Sequence, residues 1–415
     1  MTKELEGRCH RARAAARVLA ALDRRRKDAV LAAIAARLEA ETEALCRANA
    51  EDLERARAAG LEPAMLDRLA LDPVRVAAIA AGVREIVALE DPVGEVTSLR
   101  RRPNGMQVGR MRIPLGVIAM IYEARPNVTI DAAALCLKSG NAVLLRGGKE
   151  AARSNAALGD LVRAALAAEG LPEDAVQVVP PLGREETKVL LGLAGLIDLC
   201  IPRGGEGLIR FVTEHARVPV VQHYKGVCHL FVDEDADLDM ALAQVENGKL
   251  SRPGVCNALE CLLVHERVAA AFVPRLAELV GRGLEVRGDE ATVALLPAAR
   301  PAAPDDWGQE FLARILAVRV VPGFDAALDH IARYGSLHTE AICTRSYARA
   351  QRFLREVDAS CVLVNASTRF NDGGMLGLGA EMGISTSKLH AFGPMGLESL
   401  TTLKWIVTGD GQVRT

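Results

Sequence analysis

Between residues 115 and 232 short apolar runs alternate with amphipathic stretches, and this alternation restricts the possible folds more than any other feature. Val117–Tyr122, Ala142–Arg146, Val176–Val179, Ile197–Ile201 and Val218–Val221 read as buried strands. Helical patterns fill the gaps, notably Ser154–Glu169 and Glu206–His215. Strands that recur with a helix between them pack as a parallel sheet covered on both faces. A doubly wound α/β domain is therefore expected, and such sheets bind ligands at the carboxyl ends of their strands. A Gly-x-Gly-x-x-Gly fingerprint is absent, since Gly377-Leu-Gly379 lacks a strand–turn–helix context. Two other glycine turns stand at strand ends: Arg146-Gly147-Gly148-Lys149 and Arg203-Gly204-Gly205-Glu206. Glycines let a backbone approach phosphate, and Arg146, Lys149 and Arg203 can neutralise it. Each turn is also compatible with a plain βα connection.

The flanking regions read differently. Residues 4–90 form a series of helices, with Ala, Leu and Val at helical spacing as in Val30–Leu38. The basic cluster Arg24–Lys27 is flanked by Asp23 and Asp28, which predicts a solvated helix face. In residues 94–112, Pro103-Asn104-Gly105 separates two β-prone runs, a hairpin signal. This arm is expected to project and pair with another subunit. Leu400–Val407 alternates as a strand, to pair with the arm or with a neighbour's sheet. After Asp233 a second α/β unit begins. It includes Cys361–Asn365, expected to be a buried strand, and the glycine-rich loop Asn371–Gly374.

Composition excludes several functions. The 415 residues carry a net charge of −2 and only 3% aromatics, which argues against a nucleic-acid surface. Nine cysteines without a C-x-x-C pair fit a reducing compartment, and neither a disulfide frame nor a zinc site. The charged start Met1–Glu6 is unlike a signal peptide, and apolar runs such as Leu115–Tyr122 are too short to span a bilayer. A cytoplasmic protein with no membrane partner is expected.

One cysteine is placed for chemistry. Cys256 lies in Arg252-Pro-Gly-Val-Cys-Asn-Ala-Leu-Glu260, between a helix running from Asp235–Asp239 to Lys249 and a strand over Leu259–Val264. Pro253 fixes its own φ, and Gly254 permits a tight path beside the thiol. A loop cysteine on rigid neighbours suits a nucleophile; a small buried apolar residue is the other reading.

A nucleotide sheet followed by a loop-borne cysteine resembles the aldehyde dehydrogenase superfamily. The likeness is carried by Gly140–Arg146, Asp235–Asp239 and Glu310–Val318, and it covers nearly the whole chain. Within the superfamily, three stretches are similar to the γ-glutamyl phosphate reductase family: Tyr122–Thr129, Arg252–Glu260 and Val321–Ile342. The last contains His330-Ile331, Tyr334–Ser336 and His338–Glu340. The resemblance implies an aldehyde dehydrogenase-like α/β fold. Residues 1–93 with 114–225 would bind NADP(H), 226–400 would carry catalysis, and 94–113 with 401–415 would form the oligomerisation arm. The implied reaction is NADPH-dependent reduction of L-glutamyl 5-phosphate to glutamate 5-semialdehyde in proline biosynthesis. A homo-oligomer is implied, and a glutamate 5-kinase is the candidate partner.

Roles follow from that match. Cys256 would attack the acyl phosphate, with its backbone N–H and the Asn127 side chain as oxyanion donors; a helix N-cap is the alternative use of Asn127. Arg146, Gly147, Lys149, Gly204, Gly205 and Glu310 would hold the cofactor. Arg125, His223, Arg369 and Asp372 would meet the substrate. Hydrolytic relatives carry a glutamate twelve residues ahead of the position of Asp235, where this chain has His223. The water-activating base is thus replaced, and His223 is either a base or a plain polar residue. His330 and His338 are given structural or substrate-loop roles, and no metal is expected. The rival readings are a CoA-dependent acylating dehydrogenase, a Cys–His hydrolase using His223 or His229, and a non-catalytic NADP-binding protein.

Overall fold

The computed structural model describes residues 2–222 and 224–414, with Ala64 described by its backbone alone; His223 lies outside the described residues. The chain divides into two units. One comprises Met1–Gln222, Leu378–Gly383 and Met395–Thr415, the other His223–Gly377 and Ile384–Pro394.

The first unit opens with helices Thr2–Leu19, Arg24–Ala40, Thr42–Ala58, Pro63–Leu69 and Pro73–Ala88. Two of them start at aspartate caps: Asp23 accepts from the Arg26 N–H at 2.9 Å, and Asp72 from the Arg75 N–H at 2.7 Å. The basic cluster is not wholly solvated as expected. Lys27 is buried and ion-paired with Asp91 at 2.8 Å, while Asp28 pairs with the buried Lys138. An amphipathic pattern cannot reveal that one of four adjacent cations finds a buried carboxylate.

The strands of this unit form a parallel sheet ordered Val176–Val178, Ala142–Arg146, Val117–Tyr122, Leu199–Arg203. Every residue of Val117–Tyr122 is buried, as a central parallel strand requires. Val218–Val221 does not become a full strand. It makes one isolated bridge, Cys200 to Val220, because Pro219 has no N–H to extend a ladder. The hairpin forms as predicted, from Val96–Arg101 and Gln107–Pro114. The tail strand Thr401–Thr408 pairs antiparallel with Gln107–Pro114 and completes a three-stranded sheet.

The second unit holds a seven-stranded parallel sheet. Its order is Arg300–Pro301, Glu285–Gly288, Ile315–Val321, Leu259–His265, Cys228–Val232, Thr339–Cys343, Cys361–Val364. Leu259–His265 and Cys228–Val232 are buried throughout, and apolar clusters fill both faces around them. Cys361–Val364, expected to be buried, is half-buried because it ends the sheet and has one neighbour strand. Among the described residues no helix is long and apolar enough to cross a membrane.

Candidate active site

Cys256 sits where the sequence put it, half-buried on the turn between helix Leu238–Leu250 and strand Leu259–His265. Asp237 starts that helix by accepting from the Asp239 and Met240 N–H groups. The loop is held at its base by a buried ion pair: Lys249 Nζ lies 2.5 Å from Glu260 Oε2, with neither side chain exposed. Burial pushes the Glu260 carboxyl up and the Lys249 ammonium down, and each partner holds the other back. Glu260 Oε1 also accepts from the Leu312 N–H at 3.3 Å, which ties the segment after Glu310 to the same base.

The backbone of Cys256 is gripped from the neighbouring strand. The Cys228 thiol donates to the Cys256 carbonyl at 3.3 Å. A Cβ on Gly226 would stand 2.0 Å from that same carbonyl oxygen, so only glycine fits there. Gly226 also donates its N–H to Glu310 Oε1 at 3.0 Å. The expected cofactor-binding carboxylate is therefore hydrogen-bonded to the residue that packs on the cysteine. Next to Cys256, the Asn257 side chain donates to the carbonyls of Asn371 (2.9 Å) and Arg369 (3.3 Å), while the Arg369 guanidinium donates to Asn257 Oδ1. Asp372 accepts from the Gly374 and Met375 N–H groups and lies within electrostatic range of Arg369. The second unit thus brings Cys256, Glu310, Arg369 and Asp372 together. Gly226, Cys228 and the role of Asn257 had no sequence signal, because each depends on an approach between segments distant in the chain, and Lys249 and Glu260 meet only when the helix and strand flanking the turn converge.

In the first unit the remaining expected residues stand at the carboxyl ends of three adjacent strands. Asn127 is the first residue of helix Asn127–Lys138, but its side chain does not cap the helix. Its Nδ2 donates instead to Asp131 Oδ2 at 2.9 Å, which fixes the amide and leaves its second N–H for another acceptor. Burial pushes the Asp131 carboxyl up to about 6, against the Asn127 hydrogen bond and the charge of Arg203. Arg125 is exposed. Gly205 donates its N–H to Glu123 Oε2 at 2.9 Å, and a Cβ on Gly204 would stand 2.7 Å from the same carboxylate. The donor read as a phosphate cradle is engaged by an acidic side chain of the preceding strand end.

Beside Gly147 and Gly148 a cavity of about 380 Å³ opens along helix Ala152–Ala168, its walls carrying Arg8, Arg11 and Arg163 with Asp160 and Asp174, and Arg11 is ion-paired with Asp174 and Arg163 with Glu173. A Cβ on Gly147 would meet the Asn155 amide at 2.1 Å, so the turn depends on glycine. Arg146 and Lys149 are not among the lining residues. Arg146 donates to the Leu182 carbonyl at 2.6 Å, and burial lowers its pKa; Lys149 is exposed.

One group with metal-ligating atoms exists among the described residues: His229, Cys261 and His330, all buried, with ligand atoms within 4.8 Å of one another. Its proton arrangement opposes a metal. Arg319 can only donate, so the His330 Nδ1 at 3.0 Å accepts, and the ring proton sits on Nε2, facing the Cys261 sulfur at 3.5 Å. His229 Nδ1 lies 2.8 Å from Glu340, an ion pair between adjacent strands. The His338 side chain is also buried, its Nδ1 2.7 Å from Thr339 Oγ1.

This architecture, two parallel sheets with a cysteine turn in the second unit, defines a class. Residues 2–303 match the model of the aldehyde dehydrogenase family. A γ-glutamyl phosphate reductase from Sorangium cellulosum is 69% identical, over 99% of this chain and 97% of that one. Another from Desulfatibacillum aliphaticivorans is 59% identical over 97% of each. The crystal structure of γ-glutamyl phosphate reductase from Thermotoga maritima matches with TM-score 0.97 and 44% identity, covering 99% of this chain and 100% of that one. The chain belongs to the aldehyde dehydrogenase superfamily and, within it, to the γ-glutamyl phosphate reductase family.

Proposed function

We propose that this protein reduces L-glutamyl 5-phosphate to L-glutamate 5-semialdehyde and phosphate with NADPH, the second step from glutamate to proline in the cytoplasm. The names of its relatives support the reaction. The observation that carries the mechanism is the cysteine turn, whose carbonyl is held by Cys228 and Gly226 while Gly226 bonds Glu310. A turn so fixed leaves the backbone that carries the thiol little freedom to lose when the sulfur attacks a carbonyl.

Cys256 attacks C5, a C–S bond forms, and the C–O bond to phosphate breaks with its electron pair on the departing phosphate. The Cys256 backbone N–H stabilises the oxyanion, and Asn127, oriented by Asp131, is the second donor; one such donor is worth about 10²–10³ in rate. The nicotinamide, when bound, supplies the hydride that reduces the thioester. The resulting hemithioacetal collapses to the aldehyde and returns the thiolate. Glu310 is the candidate for the nicotinamide ribose. Gly147 and Gly148, beside this cavity, are the candidates for the adenosine end and its phosphates. Arg125, Arg369 and Asp372 are proposed substrate contacts, and His223 a polar residue in place of the hydrolytic glutamate. The three-stranded arm is proposed to assemble the chain into a homo-oligomer.

The test runs the reaction backwards, from glutamate 5-semialdehyde and NADP. Turnover needs phosphate or arsenate. Without either, NADPH formation stops after at most about one equivalent per active cysteine, because acylated enzyme accumulates. Sustained NADPH formation in phosphate-free buffer would refute the reading.

A further inference from the structure

Arg252 opens the Cys256 turn, four residues ahead of the thiol, and its side chain is exposed. Its guanidinium has no hydrogen-bond or ion-pair partner among the described residues. Arg369 approaches the same turn from the segment after Cys361–Val364. A reciprocal contact holds it there: its guanidinium donates to Asn257 Oδ1, while Asn257 Nδ2 donates back to the Arg369 carbonyl. Asn257 is the residue after the nucleophile, so the Arg369 fork is fixed one residue from the reacting sulfur. A guanidinium has five N–H donors, and Asn257 is the recorded acceptor for one of them, so donors remain for a ligand.

The two cations lie within electrostatic range of each other. Burial lowers the Arg369 pKa, and the like charge of Arg252 lowers it further; Asp372, Cys256 and Cys228 act in the opposite sense. Asp372 offsets part of this charge, one of its oxygens accepting from the Gly374 and Met375 N–H groups, and leaves the two arginines net positive. Two guanidinium groups kept close beside a nucleophile are relieved by an anion that both can bind.

We propose that Arg252 and Arg369 form the subsite for the phosphate of the acyl phosphate, both as it leaves Cys256-bound substrate and as it returns in the reverse reaction. This rests on the thioester reading above. The substrate has two anionic ends, and proximity selects between them. The phosphate is bonded through one oxygen to the carbon that the thiol attacks, whereas the α-carboxylate lies at the far end of the glutamyl chain. As the C–O bond breaks, charge accumulates on the phosphate, where the two arginines stabilise it without a proton donor.

The experiment uses the intact enzyme in the oxidative direction, with inorganic phosphate and glutamate 5-semialdehyde varied separately. Arg252→Ala raises the KM for phosphate about tenfold to a hundredfold, as expected for one charge-assisted contact. The KM for the semialdehyde moves by less than about twofold on the same reasoning, and Arg252→Lys recovers part of the loss. An independent readout needs no turnover: inorganic phosphate protects Cys256 from iodoacetamide in the wild type and fails to do so in Arg252→Ala. An unchanged phosphate KM with unchanged protection overturns the subsite. A rise in the semialdehyde KM alone assigns the pair to the α-carboxylate and overturns it too. Phosphate-independent turnover of the wild type would instead remove the thioester reading itself, so the two failures are distinguishable.

Discussion

At the scale of single residues the cysteine turn and the Asn127–Asp131 pair make separate predictions. Cys256→Ala removes the proposed nucleophile and little volume. It should lower phosphate-dependent NADP reduction by at least about 10³-fold while NADPH still binds; retention of most activity would move the chemistry elsewhere. Asp131 is a buried carboxyl whose burial has a cost in stability. Its folded pKa of about 6 exceeds the unfolded value of about 3.9. Between those values the native state holds a proton that the unfolded chain has lost, so stability falls as pH rises through that window and stays reduced above it. Asp131→Asn removes the buried charge and weakens the orienting acceptor from a carboxylate to an amide oxygen. Relative to wild type it should be stabilised at pH 8 by up to about 2–3 kcal/mol, with the advantage fading towards pH 4, and it should lose activity about tenfold or more. Urea denaturation at the two pH values, with rates measured in parallel, checks both halves. A stability difference that does not vary with pH would show that Asp131 is not the titrating group.

At the scale of elements, strands and turns were legible and buried charges were not. The parallel strands, the Pro103-Asn104-Gly105 hairpin and the helix–cysteine turn–strand unit all declare themselves through periodicity and local turn chemistry. Val218–Val221 misled because its apolar run hides a proline that cannot donate to a ladder. Lys27, Lys249, Glu260 and Glu340 are indistinguishable from surface charges in sequence, since the partners of Lys27 and Glu340 lie far along the chain and Lys249 meets Glu260 only once the helix and strand flanking the cysteine turn converge. Gly226 looks like any loop glycine until the Cys256 carbonyl is placed against it. The Lys249–Glu260 pair makes the consequence measurable. Removing one member of a buried pair leaves an uncompensated charge, which typically costs about 3–5 kcal/mol. Lys249→Met should therefore lower the urea midpoint substantially, and Glu260→Gln should do the same. The double variant should cost less than the sum of the two, because each single change strands the other partner. Strict additivity would mean that the two groups are independently solvated and do not close the loop.

At the scale of the whole molecule, the three-stranded arm is the part least explained by a single chain. Its order places Val96–Arg101 and Thr401–Thr408 at open edges, each offering unpaired backbone groups. The tail strand also exposes Trp405 (67%) and Val407 (56%), two residues apart and therefore on one face, and Leu99 of the other edge strand is 55% exposed. The chain has only two tryptophans, so placing one on the surface is notable. The Arg110 guanidinium lies 4.8 Å from the Trp405 ring centre and leaves the rest of the indole exposed. Trp405 and Val407, exposed side by side on an open edge strand, are the candidate for a protein–protein contact. The occupant consistent with a symmetric assembly is a second copy of this chain. Wild type should therefore elute as an oligomer by size-exclusion chromatography with light scattering. Trp405→Glu combined with Val407→Glu should shift it towards the monomer, since charge at the centre of an apolar contact opposes desolvation. The substituted positions lie on the arm, away from the helices and the four-stranded sheet of the same unit, so helical content should be retained by circular dichroism. A monomeric wild type, or an oligomer indifferent to both glutamates, would show that the arm serves some other contact.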